Sequence, residues 1–441
     1  MKQKYIINNT IYNRIKNYIM FKKIFWCAVL LLFPVITALY SCKAASAAEH
    51  RGIWISYIDY EDAGLYDQSE SSFKANSDAM FKKLKSYGFN TVYFQVRPYD
   101  DAVYPSDIFK WCTYLAPSEP SYDPLEILVE KAHKYGLSFH AWVNPYRITQ
   151  ENIHNPAKNA STERIVDGVK EIIENYDVDG IHFDDYFYPS RHKGMQYYSV
   201  PIAERKENVN NMIRTVYAAI KQQNPDITFG ISPAGNTEYA ESIGCDLETW
   251  VNEDGYVDYI IPQLYWSDNY KTSDGNTKFY TDTLEEWTSI ISGSKPTYIG
   301  LALYKAGLKS SVDKGWRKSK SNIINQIKLE RDYGCDGYVM FSYRSLFTQD
   351  GKKEFANYIK SISGLKLTKS GITLKKGKSY NIKNKVKVKS KYKTTFKYKS
   401  EKPRIASVSP NGKIKAKKRG TARIHIKGLA GSRVTCKVRV R

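Results

Sequence analysis

Between residues 50 and 345 the sequence repeats one unit: a short apolar run, a polar or aromatic end, and then a stretch with helical spacing. The apolar runs fall at residues 51–57, 90–97, 137–144, 180–186, 227–232, 257–266, 297–304 and 337–343. The intervening stretches at 78–87 and 124–135 end at Gly88 and Gly136, where a glycine terminates a helix in the left-handed conformation. In 163–176, Ile165, Val169, Ile172 and Ile173 recur at helical spacing. Strands alternating with helices demand parallel pairing, and eight such units over about 300 residues close into a barrel. An open, doubly wound sheet would call for a glycine-rich phosphate loop after the first strand, and none is there. The expected class is α/β, a (β/α)8 TIM barrel spanning 49–363.

In such a barrel, ligands meet the C-terminal strand ends. Here those ends are polar and aromatic: Gln95-Val-Arg97-Pro-Tyr99, Trp142-Val-Asn144-Pro-Tyr146-Arg147, His182-Phe-Asp184-Asp185-Tyr186, Ser232 to Asn236, Gln263-Leu-Tyr265-Trp266 and Ser342-Tyr343-Arg344. Strand alternation turns His182 and Asp184 to the inside and Phe183 to the helices. Asp185 lies where strand gives way to loop. Two carboxyl groups at one strand end suit glycoside hydrolysis, in which one stabilises or attacks an oxocarbenium-like centre and another protonates the leaving oxygen. The same pair could cap a helix or bind Ca²⁺. The chain has 36 tyrosines, and Tyr99, Tyr146, Tyr186, Tyr188, Tyr265 and Trp266 fall near the expected mouth, where flat amphipathic rings suit sugars. Trp54 and Tyr93, inside strands, read as core.

Five separated blocks then agree with one family: Arg51-Gly-Ile-Trp54, Asn90 to Pro98, Trp142 to Arg147, Asp179 to Pro189 and Asp258 to Trp266. Over residues 49–363 the chain resembles the bacterial glycosyl hydrolase-like 10 family, a glycosidase-like barrel that is exported and associated with cell-wall glycans stripped of their stem peptides. The resemblance implies sugar-binding and catalytic positions at Arg97, Asn144, Asp184, Asp185, Gln263 and Tyr265. The expected activity is therefore an exported glycoside hydrolase acting on a cell-wall polysaccharide, the glycan strands of peptidoglycan. A glycan-binding scaffold without catalysis is the competing class. Asp184 is expected as nucleophile or charge stabiliser, with Asp185 as its partner. Arg97 and Asn144 would bind hydroxyls or steady a carboxylate, Tyr146, His182 and Trp266 would add to the sugar site, and Gln263 and Tyr265 would form its floor. The general acid is the gap: the fifth strand ends without an acidic residue, leaving Asp246 and Glu253 as candidates. Phe183-Asp184-Asp185 also resembles a motif of metal-dependent polysaccharide deacetylases, but the downstream His-x-x-x-His pair is missing. No metal site and no cofactor are expected.

Charge separates the remainder from this body. Residues 364–441 hold 26 Lys and Arg against the single acid Glu401, whereas residues 49–363 hold 34 basic and 44 acidic residues. The tail alternates at strand period, carries an Asn411-Gly412 hairpin signal, and resembles the bacterial Ig-like group 2 domain through Ile405-Ala-Ser-Val-Ser, Asn411-Gly-Lys-Ile and Gly420-Thr-Ala. Phe396 stands where that resemblance implies a Trp. A small all-β Ig-like sandwich is expected, with residues 380–389 as one alternating strand. Its charge points to anionic wall polymers or a membrane surface, and the export signal argues against nucleic acid. That signal occupies 1–48: basic Lys22-Lys23, an apolar run from 24 to 40, and Ala45-Ser46-Ala47. Leu39-Tyr-Ser-Cys42 resembles a lipobox, so the chain is secreted or held at the cell surface, with lipidation of Cys42 open beside simple cleavage. Cys112, Cys245, Cys335 and Cys436 show no metal or disulfide spacing and read as small buried hydrophobes.

Overall fold

The computed structural model describes residues 49–189, 197, 199–273, 275, 278–291, 295–362, 365–388, 396–428 and 432–441. The expected export segment, with Cys42, lies outside the described residues.

The body is the expected barrel. Its strands are β1 (His50–Ile55), β2 (Thr91–Arg97), β3 (Ser138–Val143), β4 (Gly180–Asp184), β5 (Thr228–Ser232), a divided β6 (Tyr259–Ile260 and Gln263–Leu264), β7 (Tyr298–Ala302) and β8 (Gly337–Phe341). All neighbouring pairs are parallel. Pro262, which has no N–H to give, divides β6. The first half pairs with β5, Gly230 beside Tyr259, and the second with β7, Gly300 beside Gln263. Bridges from Ile260 to Thr297 and from Ala234 to Gln263 carry each half to the opposite neighbour, so the ring closes through one strand.

The outer layer includes α1 (Glu70–Tyr87), α2 (Pro124–Lys134), α3 (Asn159–Asn175) and α4 (Ile202–Gln223). Gly88 and Gly136 end α1 and α2 at φ 96° and 63°, as the sequence led us to expect. Ile165, Val169, Ile172 and Ile173 form the buried stripe of α3.

Four acidic or amide residues just before the even strands lock the barrel's lower rim. Asp179 donates its backbone N–H to Phe139 O (2.9 Å), and its carboxylate accepts from Phe139 N (2.7 Å). Asn90 grips Arg51 in the same two-bond manner, Asp258 grips Phe229, and Asp336 grips Thr297. Each first backbone group of an odd strand therefore finds a partner where the ladder would otherwise fray. A cavity of about 540 Å³ opens at this end, lined by His50, His140, Asp179, Asp258 and Tyr259 among others. Two of its carboxylates are thus already engaged in holding strands.

Inside the ring, large and small residues alternate. Trp54, Tyr93, Trp142, Tyr259, Ile261 and Val339 form the interior cluster. Gly180 and Gly230 face it because a Cβ there would run into His140 and Tyr259. Outward positions such as Ile181, Phe183, Phe229 and Ile231 join the larger core under the helices.

The tail folds on its own core of Ile372, Ile382, Ile414, Ile424, Ile426, Cys436 and Val438, among others. A four-stranded sheet and a three-stranded sheet make up most of it, and Phe396 packs partly buried against Tyr398 (6.3 Å between ring centroids). Asn411-Gly412 turns the expected hairpin between Ala406–Val408 and Lys413–Ala416, with Gly412 at φ 76°. Residues 380–389 do not form one strand. The Asn381 side chain accepts from Lys383 N (3.0 Å), and a 3₁₀ turn at Lys383–Lys385 separates Ser379–Asn381 from Val386–Val388. Cys112, Cys245 and Cys436 are buried, Cys335 is partly so, and all four are free thiols.

Gly230→Ala should destabilise the barrel by about 1–3 kcal/mol through overpacking against Tyr259. Urea unfolding followed by circular dichroism measures this; an unchanged midpoint would contradict the interior packing described.

Candidate active site at the barrel mouth

Strand β4 delivers the centre of the site. His182 and Asp184 point inward, one above the other, and both are buried. Trp54 Nε1 donates to His182 Nε2 (3.2 Å), and indole N–H can only donate, so that nitrogen is unprotonated. Ser232 Oγ also lies 3.1 Å from Nε2, and Tyr259 OH lies 3.3 Å from Nδ1. Burial, with His140 and His50 nearby, holds the His182 pKa well below the usual imidazole value. His182 is thus a neutral floor beneath the mouth rather than a charged ligand.

Above it, Asp184 Oδ1 accepts from Gln263 Nε2 (3.0 Å) and from Asp185 N (3.0 Å). The same Gln263 amide donates to Ser232 O (2.8 Å), which ties the β6 break to the end of β5. Asp185 Oδ2 accepts from Ala234 N (2.7 Å). Burial raises the Asp185 pKa well above the usual carboxylate range, and the neighbouring Asp184 charge adds to this. Burial raises Asp184 too, opposed by the Asp185 N–H, the Gln263 amide and the Arg147 guanidinium. Asp184 holds more of the partners that favour charge, and Asp185 is the carboxyl pushed further toward its protonated form.

Aromatic rings surround this pair. Tyr265 packs edge-on to Tyr304 (5.7 Å between centroids) and near Phe341 (6.1 Å). On the other side Arg147 lies over Tyr186 (4.2 Å) and Tyr99 (4.7 Å), and Tyr99 meets Tyr57 and the exposed Tyr114. Exposed Tyr186 and Tyr304, each nearly half accessible, offer ring faces to solvent. Trp266 packs on Tyr270 and Phe279 beyond β6.

Several expected site residues lie elsewhere. Arg97, at the bulged end of β2, turns outward: its guanidinium sits 3.4 Å from the Phe109 ring and reaches the α3 backbone at Gly168. Tyr146 is buried in the outer core beside Phe187. Tyr188 leaves the mouth for α4, where Asn208 donates to its hydroxyl (3.0 Å). Asn144 braces the ends of β2 and β3 by donating to Pro98 O (2.8 Å). Asp246 is held by α4, accepting from Asn210 Nδ2 (2.7 Å) with Lys206 Nζ at 4.0 Å. Glu253 is exposed at the opposite rim, where Lys295 bonds its carbonyl and that of Val257 just before β6. Neither acid candidate therefore joins the Asp184 pair. Arg147 is the residue the role assignments passed over, although it ends the same Trp142–Arg147 block that supplied Asn144 and Tyr146. Among the described residues no group of three or more His, Cys, Asp or Glu side chains is arranged to hold a metal ion.

Residues 49–154 and 149–318 match the family described as "Glycosyl hydrolase-like 10", together more than half of the chain. The chain belongs to this family. Residues 362–438 match the bacterial Ig-like domain (group 2). Among relatives of this glycosyl hydrolase-like chain, "Glycosyl hydrolase YngK" of Bacillus subtilis is 29% identical over 374 residues, covering 71% of each chain. "Glycosyl hydrolase DigH" of Escherichia coli K12 is 29% identical over 347 residues, 62% of this chain and 77% of the relative. In fold, the chain is similar to chitinase ChiA74 from Bacillus thuringiensis, at TM-score 0.50 and 11% identity over 89% of this chain and 85% of that one. It is also similar to Ostrinia furnacalis Group IV chitinase, at TM-score 0.47 and 10% identity over 71% and 99%.

The raised Asp185 pKa has a stability consequence of definite sign. The folded protein binds the proton more tightly than the unfolded chain (~3.9 for a free Asp), so this contribution is full below pH ~4 and is lost as pH rises through the folded value. Asp185→Asn should remove that loss, giving a melting temperature that gains on the wild type between pH 4 and pH 8, read by calorimetry. A constant difference across that range would contradict the raised Asp185 pKa.

Proposed function

We propose that this family member is an exported hydrolase of O-glycosidic bonds in a cell-wall polysaccharide, the glycan strands of peptidoglycan. The observation that carries the reading is the adjacent carboxyl pair, Asp184 and Asp185, at a mouth walled by tyrosines. The export-type segment at 1–48 and the basic tail support the setting, the tail holding the barrel beside anionic polymers.

The chemistry follows from the pair's geometry. Retaining carboxyls sit ~5–5.5 Å apart and inverting ones ~6.5–9.5 Å. As consecutive residues at one strand end, Asp184 and Asp185 act together as one acid beside one charge. Asp185 gives its proton to the leaving glycosidic oxygen, and the carboxylates left behind stabilise positive charge at the anomeric carbon. With Asp184 committed to that pair, the attacking group comes from the substrate. The carbonyl oxygen of a 2-acetamido group closes on the anomeric carbon, and Asp184 faces the positive charge this puts on its nitrogen, a substrate-assisted route. Water then opens the ring and returns a proton to Asp185. Gln263 fixes the Asp184 oxygen, Arg147 restrains its charge, and the Tyr265, Tyr304, Tyr99 and Tyr186 rings take sugar faces.

A second reading, glycan binding without cleavage, draws on one observation: neither Asp246 nor Glu253 stands by to act as a separate acid. Digestion of purified glycan strands, followed by mass spectrometry, decides between them. Wild type should release soluble oligosaccharides, while Asp184→Asn should lose at least about 10²-fold in rate, the scale of removing one positioned acid–base or charge-stabilising group. Co-sedimentation with glycan and no release by either protein would establish the binding reading instead.

A further inference from the structure

The tail's two sheets differ on their outer faces. In the four-stranded sheet the order is Gly371–Leu374, Arg433–Val440, Gly420–Lys427, Lys397–Ser400, so the second and third strands are central. Those two pair antiparallel, with Arg423 opposite Lys437 and Lys427 opposite Arg433. On the flank, Lys397 faces Lys427 and Lys399 faces His425. Alternate residues of these strands, Ala422, Ile424, Ile426, Cys436 and Val438, are buried. The basic side chains opposite them are exposed. Glu401, the module's one acid, is taken up by His425 (2.6 Å) and Arg423 (3.7 Å). The three-stranded sheet presents outward only Lys413 and Lys415 among Ser379, Asn381 and Ser407.

Like charges directly opposite across strands destabilise a sheet. Lysines on edge strands guard against aggregation, but Arg423, Lys437, Lys427 and Arg433 lie on central strands. A need for solubility alone would spread basic residues over both outer faces, whereas the three-stranded sheet carries only Lys413 and Lys415. The outward positions of the two central strands and their Lys397–Ser400 flank are Lys, Arg, His or Thr, with no aromatic or aliphatic side chain. Stacking on bases calls for aromatics, and insertion into a lipid surface calls for apolar residues. What remains is a cationic lattice, with rows ~4.8 Å apart across strands and ~6.8 Å along them.

We propose that the outer face of this four-stranded sheet binds a linear polyanion of repeating phosphodiesters that carries neither bases nor lipid chains. This deepens the reading of the tail as the element that holds the enzyme at its substrate, and it does not depend on the barrel's chemistry.

Binding of the full mature chain to synthetic poly(glycerol phosphate) tests it, by titration calorimetry at about 50 mM and 200 mM salt, the range over which counterion release weakens polyanion binding strongly. Arg423→Gln with Lys437→Gln should weaken binding at least about fivefold, and Lys413→Gln with Lys415→Gln, which removes the same charge, less than about twofold. Arg423→Lys with Lys437→Arg should keep wild-type affinity, which separates charge from folding damage. Hydrolysis of short soluble oligosaccharides should be equal in all variants, so failure of the barrel reading would show separately. Equal losses in the two Gln pairs would overturn the proposal, as would binding to phosphatidylglycerol vesicles or to poly(dT) as tight as to poly(glycerol phosphate).

Discussion

Closing a ring of eight parallel strands requires one strand to satisfy both the first half and the second half of the chain, and here residues 259–264 do it. Ile261 N donates to Ile231 O on one side (2.9 Å), and Gly300 N donates to Pro262 O on the other (2.8 Å). Pro262 breaks the strand between these duties and sets Gln263 at the top. The Gln263 amide then bonds both the β5 carbonyl at Ser232 and the Asp184 carboxylate. Barrel closure and the orientation of the Asp184 carboxylate are therefore the same interaction. A change that relaxed the β6 break would loosen the site before it unfolded the barrel.

The rest of the site is arranged around one electrostatic problem, keeping a buried Asp184 beside a half-buried Asp185. Water would solvate both as anions. Burial makes that costly and favours a proton on Asp185, while the Asp185 N–H, the Gln263 amide and Arg147 favour charge on Asp184. His182 directly below adds no charge. Its tautomer is set by Trp54, and its neutrality by the surrounding rings. A protonated histidine there would pull the proton balance toward two carboxylates and leave no acid. The aromatic barrel interior thus bears on the charge of the carboxyl pair above it.

Much of this was legible in the sequence. Period-two alternation gave the inward turn of His182 and Asp184, and the Gly88 and Gly136 signals ended α1 and α2 where they do. Trp54 and Tyr93 read as interior, and they are. What the sequence concealed was orientation at strand ends. Alternation would turn Arg97 inward with Tyr93 and Gln95, but the register shift between Gln95 and Arg97 moves it to the helix side. Tyr146 and Tyr188 lie past their strand ends, where chain position no longer fixes which way a ring points, and both found core. Asp246 resembled a free acid because its partners Asn210 and Lys206 come from a helix some 40 residues earlier. Arg147 was visible as a letter in a conserved-looking block, but its role comes from two tyrosines on different strands' loops. In the tail, the hairpin was fixed by Asn411-Gly412, while the 3₁₀ break after Asn381 depended on a side chain bonding its own backbone.

Burial and the adjacent Asp184 charge should make Asp185 hold its proton above the pH range of a free Asp. Infrared difference spectroscopy in heavy water, comparing wild type with Asp185→Asn and with Asp246→Asn, reads it directly. A protonated-carboxyl band that persists in wild type above the range of a free Asp (~3.9) should be lost in Asp185→Asn and kept in Asp246→Asn. No such band in wild type, or one that survives in Asp185→Asn, would contradict it.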